Sequence, residues 1–145
     1  MFEGKIVVSG GFTDAILNTV EAYDHVADSW THMPNMIETR FQHKSVAMKN
    51  KLFVIGGSYG TYGEVFDSTS NEFVLLKPLP ARFLSHFWNL QYLDGVVLIG
   101  RKLVVFGERI NFILYYDVEK AEWSDEPCEV TSLLQGYCCA KVPRL

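Results

Sequence analysis

The sequence predicts an all-β protein built from three copies of one small antiparallel sheet unit. Two observations carry that prediction. A strand-and-glycine phrase occurs three times: Lys5-Ile6-Val7-Val8-Ser9-Gly10-Gly11, Lys51-Leu52-Phe53-Val54-Ile55-Gly56-Gly57 and Lys102-Leu103-Val104-Val105-Phe106-Gly107-Glu108. Each copy is followed by an aromatic–acid pair and, seven residues after the first ring, by a second ring: Tyr23-Asp24 with Trp30, Phe66-Asp67 with Phe73, and Tyr116-Asp117 with Trp123. The lysine anchors lie 46 and 51 residues apart, a period that signals stacked repeats.

The elements of one unit follow in order. The β-branched and aromatic run from Lys51 to Ile55 favours a buried strand. The Gly-Gly after it frees the backbone for a sharp turn and a close approach of neighbouring chain. Val20–Asp24 and Gly63–Asp67 alternate in character as a second strand requires. The polar stretches His25–Ser29 and Ser68–Glu72 read as hairpin turns, and the second ring begins the returning strand. A constant spacing across a hairpin fixes register, so both rings of a pair share one sheet face. His43 and His86, close after Arg40 and Arg82, open a further, innermost strand. The first unit begins at the Gly-Gly strand and lacks such a strand before it. Gly136–Val142 has the look of that strand, so the tally is three units permuted by one strand.

Composition agrees with one globular domain. The 145 residues are 48% hydrophobic and 14% aromatic, enough for a sizeable core. The longest apolar stretches are cut by Asp94, Arg101 and Lys102, short of a membrane span. The N-terminus runs straight into a repeat strand, without the apolar core of a signal peptide. Three cysteines and no Asn-x-Ser/Thr sequon suit a reducing compartment, so a cytoplasmic setting is expected.

The double glycine, the Glu21-Ala22-Tyr23-Asp24 phrase, the ring spacing and the segment Met33-Pro34 with Met36–Arg40 resemble the kelch repeat. The chain is similar in particular to the C-terminal propeller of the BTB–kelch (kelch-like) proteins. The resemblance spans residues 1–145, with repeats of approximately 1–50, 51–100 and 101–145. Repeat 2 has Phe66 and Phe73 where the family has Tyr and Trp, repeat 3 has Glu108 for the second glycine, and the stretch from Arg82 to Arg101 is longer than its counterpart. The fold implied is an incomplete β-propeller of about three blades, Gly10, Gly11, Tyr23, Trp30, Gly56, Gly57, Phe66, Phe73, Gly107, Tyr116 and Trp123 being its structural motif residues. Six blades are usual in the family, so the chain is expected to be part of a longer protein, or to pair as a homodimer completing one ring.

Catalytic and metal motifs are missing. There is no P-loop, His-Glu-x-x-His or Gly-x-Ser-x-Gly. His25, His32, His43 and His86 have no ligand spacing, and the adjacent Cys138 and Cys139 point to opposite faces on a strand, which makes no metal site with Cys128. No enzyme activity and no cofactor or metal is expected. The ring pairs read as wedges between adjacent blades rather than stacking platforms for bases, and the net charge of -4 speaks against nucleic acid. Lys5, Lys51 and Lys102 read as solvated turn residues. Trp88 falls outside the pattern.

Function is therefore expected on the loops. One set follows each Gly-Gly (Phe12–Thr19, Ser58–Tyr62, Arg109–Asn111), and the other precedes each innermost strand (Asn35–Arg40, Pro80–Arg82). In kelch-like proteins an arginine at the place of Arg40 and Arg82 points into the ring mouth and captures acidic peptides, and its planar fork suits a carboxylate. The other reading is an arginine packed at the blade junction. In the third repeat the same distance lands on Ser132 and Leu133. Tyr59 and Tyr62 are candidate contact aromatics on that rim. The resemblance implies a protein-binding module, the substrate-recognition part of a cullin-type ubiquitin ligase adapter whose BTB and BACK domains lie outside these residues. The alternative is an actin-binding scaffold without a ligase role.

Overall fold

The computed structural model describes residues 1–57, 62–79, 93, 95–107, 110–124 and 128–129. Its strands fall into three antiparallel sheets, with every hydrogen-bonded neighbour running the opposite way. Sheet 1 is β1 (Ile6–Ser9), β2 (Val20–Asp24) and β3 (Ser29–Met33). Sheet 2 is β4 (Lys44–Met48), β5 (Lys51–Ile55), β6 (Gly63–Asp67) and β7 (Glu72–Leu75). Sheet 3 is β8 (Gly95–Ile99), β9 (Lys102–Gly107), β10 (Ile110–Asp117) and β11 (Glu122–Trp123), with β12 (Cys128–Glu129) also on β10. This is the all-β, blade-by-blade architecture the repeats predict. Gly136–Val142, Trp88, His86, Arg82 and Tyr59 lie outside the described residues.

Sheet and sequence repeat are offset by one strand. Sheet 2 takes β4 from the first repeat, and sheet 3 takes β8 from the second. In sheet 1 that innermost place is represented by Phe2, which bridges Lys5 as Met48 pairs with Lys51 and Ile99 with Lys102.

The repeated aspartate builds the outer hairpin. The Asp24 Oδ1 accepts the N–H groups of Val26 and Ala27 at 3.0 and 3.1 Å, and Asp117 Oδ1 does the same for Glu119 and Lys120, both at 3.1 Å. Asp67 Oδ1 accepts the Thr69 N–H at 2.9 Å. Four residues past each aspartate the chain turns left-handed, at Asp28 (φ 48°), Asn71 (φ 58°) and Ala121 (φ 53°). Each hairpin then sets its rings directly opposite: Tyr23 faces Trp30, Phe66 faces Phe73 and Tyr116 faces Trp123, with centroids 5.1, 5.1 and 5.0 Å apart. The repeated lysines are more than solvated turn residues, since Lys5 and Lys51 pair across the sheet with Asp24 and Asp67.

The sheets stack face to face, and the middle one is covered on both sides. Leu52, Val54, Phe66 and Phe73 pack toward sheet 1 with Phe2, Val20 and Met36. Phe53, Ile55 and Val65, one residue out of phase, pack toward sheet 3 with Leu103, Val105, Leu114, Tyr116 and Trp123. That double burial explains why β5 is a continuous apolar run instead of an alternating one. Each side chain so enclosed contributes roughly 1.5–3 kcal/mol.

The wedge expectation for the rings holds for two pairs and needs correcting for the third. Phe66 meets Phe2 edge-on at 6.0 Å, and Tyr116 meets Phe53 at 6.4 Å. Trp30 instead stays 52% exposed, because no sheet among the described residues covers its face of sheet 1.

Candidate interaction rim

The loops at the Gly-Gly ends of sheets 1 and 2 form the candidate site. Their course is dictated by the glycines. Gly10 and Gly57 have φ of 57° and 67°, and a Cβ at either would overlap a carbonyl oxygen, that of Arg40 or Phe41 respectively. Only glycine lets the segment Arg40–His43 pass between the two sheet ends. The segment is stitched on both sides: the Gly11 N–H donates to the Arg40 carbonyl at 2.8 Å, and the Phe41 N–H donates to the Gly57 carbonyl at 3.0 Å.

The loop after β1 and the loop after β3 are zipped together. The Arg40 N–H donates to Leu17 O at 2.9 Å, the Met36 N–H to Asn18 O at 2.8 Å, and the Asn18 amide returns a bond to Met36 O at 3.0 Å. Such bonding fixes both loops on the scaffold and leaves particular side chains facing water. Phe12 is 67% exposed and Ile37 48%, two apolar side chains on the zipped pair.

Arg40 stands elsewhere than at an open ring mouth. It is wholly buried, and so is Glu64 on β6. Its Nε lies 2.7 Å from Glu64 Oε1, and its Nη1 donates to the Gly56 carbonyl at 2.7 Å. Glu64 also accepts the backbone N–H of Ile37 at 2.6 Å and that of Glu38 at 3.4 Å. A buried ion pair holds only when the remaining polar atoms are matched, and here backbone groups match them. The arginine therefore joins the sheet 1 exit loop to sheet 2, the junction role, and is not presented to a peptide from solution. The carboxylate-capturing position expected for Arg40 is corrected on this ground.

Tyr62 sits on the other side of Gly56, whose N–H donates to its carbonyl at 2.7 Å. Its ring is half-buried against the core between sheets 2 and 3, and burial raises its hydroxyl pKa. It lines a small cavity with Ile55, Leu79, Leu93, Val105, Leu114 and Trp123. Arg40 and Tyr62 are thus brought together around Gly56, both turned inward to different degrees.

His43, at the start of β4, lies with Nε2 2.8 Å from Ser9 Oγ, and its Nδ1 has no hydrogen-bond partner among the described residues. Burial, with Arg40 and Lys44 nearby, lowers its pKa to about 4, so the ring is neutral at physiological pH. His25 and His32 lie exposed.

Sequence reasoning missed Glu64, Phe12 and Ile37. The signal for Glu64 was present: an acid inside the apolar strand Gly63–Phe66, repeated from Glu21, asks for a buried cation. Phe12 was also legible as a ring in a polar loop directly after a glycine pair.

A Kelch motif model matches residues 1–37 and 39–80. The chain is 30% identical over 112 residues to Kelch-like protein 7 of Rattus norvegicus, covering 74% of this chain and 19% of that protein. It is 29% identical over 128 residues to Kelch repeat protein C2 of Vaccinia virus (strain Western Reserve), covering 83% and 24%. Kelch-like protein 25 of Xenopus tropicalis is 25% identical over 141 residues, covering 83% and 23%. The chain spans about a fifth to a quarter of the length of these relatives.

Proposed function

Because the chain belongs to the kelch-repeat family, we propose that its rim recognises a protein substrate for a cullin-type ubiquitin ligase. The kelch blades themselves make a protein–protein interaction module. The observation that carries the reading is the zipped loop pair, which holds Phe12 and Ile37 exposed on a rigid frame. Exposed apolar side chains fixed by backbone bonding lose little entropy on binding, which is what a recognition surface needs. The ligand class is an extended or looped peptide with an apolar anchor for Phe12 and Ile37. Arg82 and Tyr59, on the neighbouring rim loops by sequence, would add a carboxylate contact and an aromatic one. Contact with the cullin falls to BTB and BACK domains supplied outside these residues, and the setting is cytoplasmic.

The test is affinity capture from cytosolic extract with four folded baits: the parent chain, Phe12→Ala/Ile37→Ser, Arg82→Ala and Arg40→Met. The expected result is a set of partners lost with the Phe12/Ile37 variant and reduced with Arg82→Ala. Capture of actin alone, equal for all four baits and matched by co-sedimentation with filaments, would replace this reading with a cytoskeletal one.

A further inference from the structure

The row of side chains that sheet 1 turns toward sheet 2 is smaller than the row in the next sheet. Across β1, β2 and β3 it reads Val7, Ala22 and Thr31. At the same register positions β5, β6 and β7 carry Phe53, Val65 and Val74. Sheet 1 thus has a valine for a ring and an alanine for a valine, and the seam keeps a cleft of about 280 Å³. Its apolar wall is Phe2, Val7, Ala22, Met33 and Phe66. Phe2, Ala22 and Phe66 are themselves buried, so the wall belongs to the packed seam. The Thr31 hydroxyl, the one polar side-chain group of the row, donates to the Ala22 carbonyl at 3.3 Å.

The mouth of the cleft lies at the end of the sheets away from the Gly-Gly loops. Glu3 and Lys5 stand on one side of it, Ser68 and Asn71 on the other. The Ser68 hydroxyl donates to Glu3 Oε1, which ties the turn before β1 to the hairpin after β6. Lys5 is held more loosely than its copy in sheet 2. Its Nζ lies 3.6 Å from Asp24 Oδ2 with the side chain 42% exposed, whereas Lys51 is hydrogen-bonded to Asp67. An ammonium has three donors, so Lys5 can still serve another acceptor.

We propose that this cleft is a second protein-docking site, which takes a leucine-like side chain from a loop of a partner protein. The partner's main-chain carbonyl accepts from Lys5, and its N–H donates to Glu3. Size and charge select this occupant. The volume falls just below the ~300–1,000 Å³ of small-molecule pockets and suits one residue with its peptide units. A ligand anion would gain Lys5 but meet Glu3 and Asp24, and a ligand cation would meet Lys5. A neutral amide carries one acceptor and one donor, which matches a mouth of mixed sign. The site is separate from the substrate rim, since it lies at the other end of the sheets and uses none of its residues.

The test titrates the chain, labelled with carbon-13 at its methionine methyl groups, with N-acetyl-leucine N-methylamide. The Met33 line, assigned by its loss in Met33→Leu, should shift and saturate in the millimolar range that one residue's contacts allow. The Met48 line, on the other side of sheet 2, should stay in place. N-acetyl-glycine N-methylamide, which lacks the anchor, should leave the Met33 line unmoved. The anion N-acetyl-leucine and the cation leucine N-methylamide should each bind more weakly than the neutral probe. Val7→Phe/Ala22→Val writes the residues of sheet 2 into sheet 1, and should abolish the response while the melting temperature holds or rises. Lys5→Met repacks no core residue, and should weaken the neutral probe by about threefold or more. No saturable shift up to the solubility of the probe overturns the proposal, as does an equal response to the glycine probe. Tighter binding of either charged probe overturns it in favour of a free acid or amine ligand. Binding that survives in the filled variant, or is unchanged in Lys5→Met, overturns it as well.

Discussion

Replacing Arg40 by methionine separates the junction role from a peptide-capturing one. Methionine keeps much of the volume and removes the charge. Glu64 would remain wholly buried, with only the Ile37 N–H at 2.6 Å and the more distant Glu38 N–H at 3.4 Å. Removing one partner of such a pair costs about 3–5 kcal/mol, because the other charge stays buried without compensation. At this chain length each kcal/mol is about 2–4 °C of Tm, so a fall on the order of 10 °C is expected. Adding Glu64→Leu removes the stranded carboxylate and should recover most of that loss. A residue of about 1–2 kcal/mol should persist, since the Gly56 carbonyl also loses its Arg40 donor. Urea unfolding followed by circular dichroism on the two single variants, the double and the parent gives the coupling. A value of about 2 kcal/mol or more between neighbours in one network is expected. If Arg40→Met alone stays within about 1 kcal/mol of the parent, or the two losses simply add, the buried pair is not what fastens sheet 1 to sheet 2.

Three other outcomes are expected. The pKa of His43, near 4 in the folded chain and ordinarily about 6.5, lies below that of the unfolded state, so its contribution is intact above pH 6.5 and is lost as pH falls toward 4. The loss should approach roughly 2–3 kcal/mol, and His43→Asn should flatten the urea midpoint across that window. Trp123→Ala should cost about 3–5 kcal/mol, because its ring is buried and its Nε1–H donates to Lys77 O at 2.8 Å. Trp30→Ala, at the matching place on the open face, should cost less than half as much by thermal melting. Ala121 holds φ 53° where the other hairpins have Asp28 and Asn71, and Ala121→Gly should stabilise by about 0.5–1 kcal/mol in calorimetry.

The ring register was legible because a hairpin of fixed length turns sequence spacing into geometry. Tyr23–Trp30, Phe66–Phe73 and Tyr116–Trp123 needed only the constant interval of seven. Their different burial was not legible, since equivalence in sequence says nothing of which sheet stands at an exposed face. Arg40 shows a second limit. A guanidinium fork suits a peptide carboxylate and an internal one equally, and only the placement of Glu64, 24 residues away, decides between them. The zipped loops were anticipated as a rim, and Phe12 was legible there as a ring after a glycine pair, but the exposure of Ile37 emerges from backbone bonds that no composition or period encodes.

Among the described residues the two junctions along the stack use unlike chemistry: a guanidinium on a carboxylate between the first two sheets, and Leu114 with its apolar neighbours between the last two. Chains made of similar repeats are prone to join the wrong neighbours while they fold. Here a mistaken stacking of sheet 3 on sheet 1 would set the charge of Arg40 against Leu114 and strand it in an apolar layer. Each junction thereby works as a key cut for one lock, and the order of the repeats is written into the side chains that disappear between them.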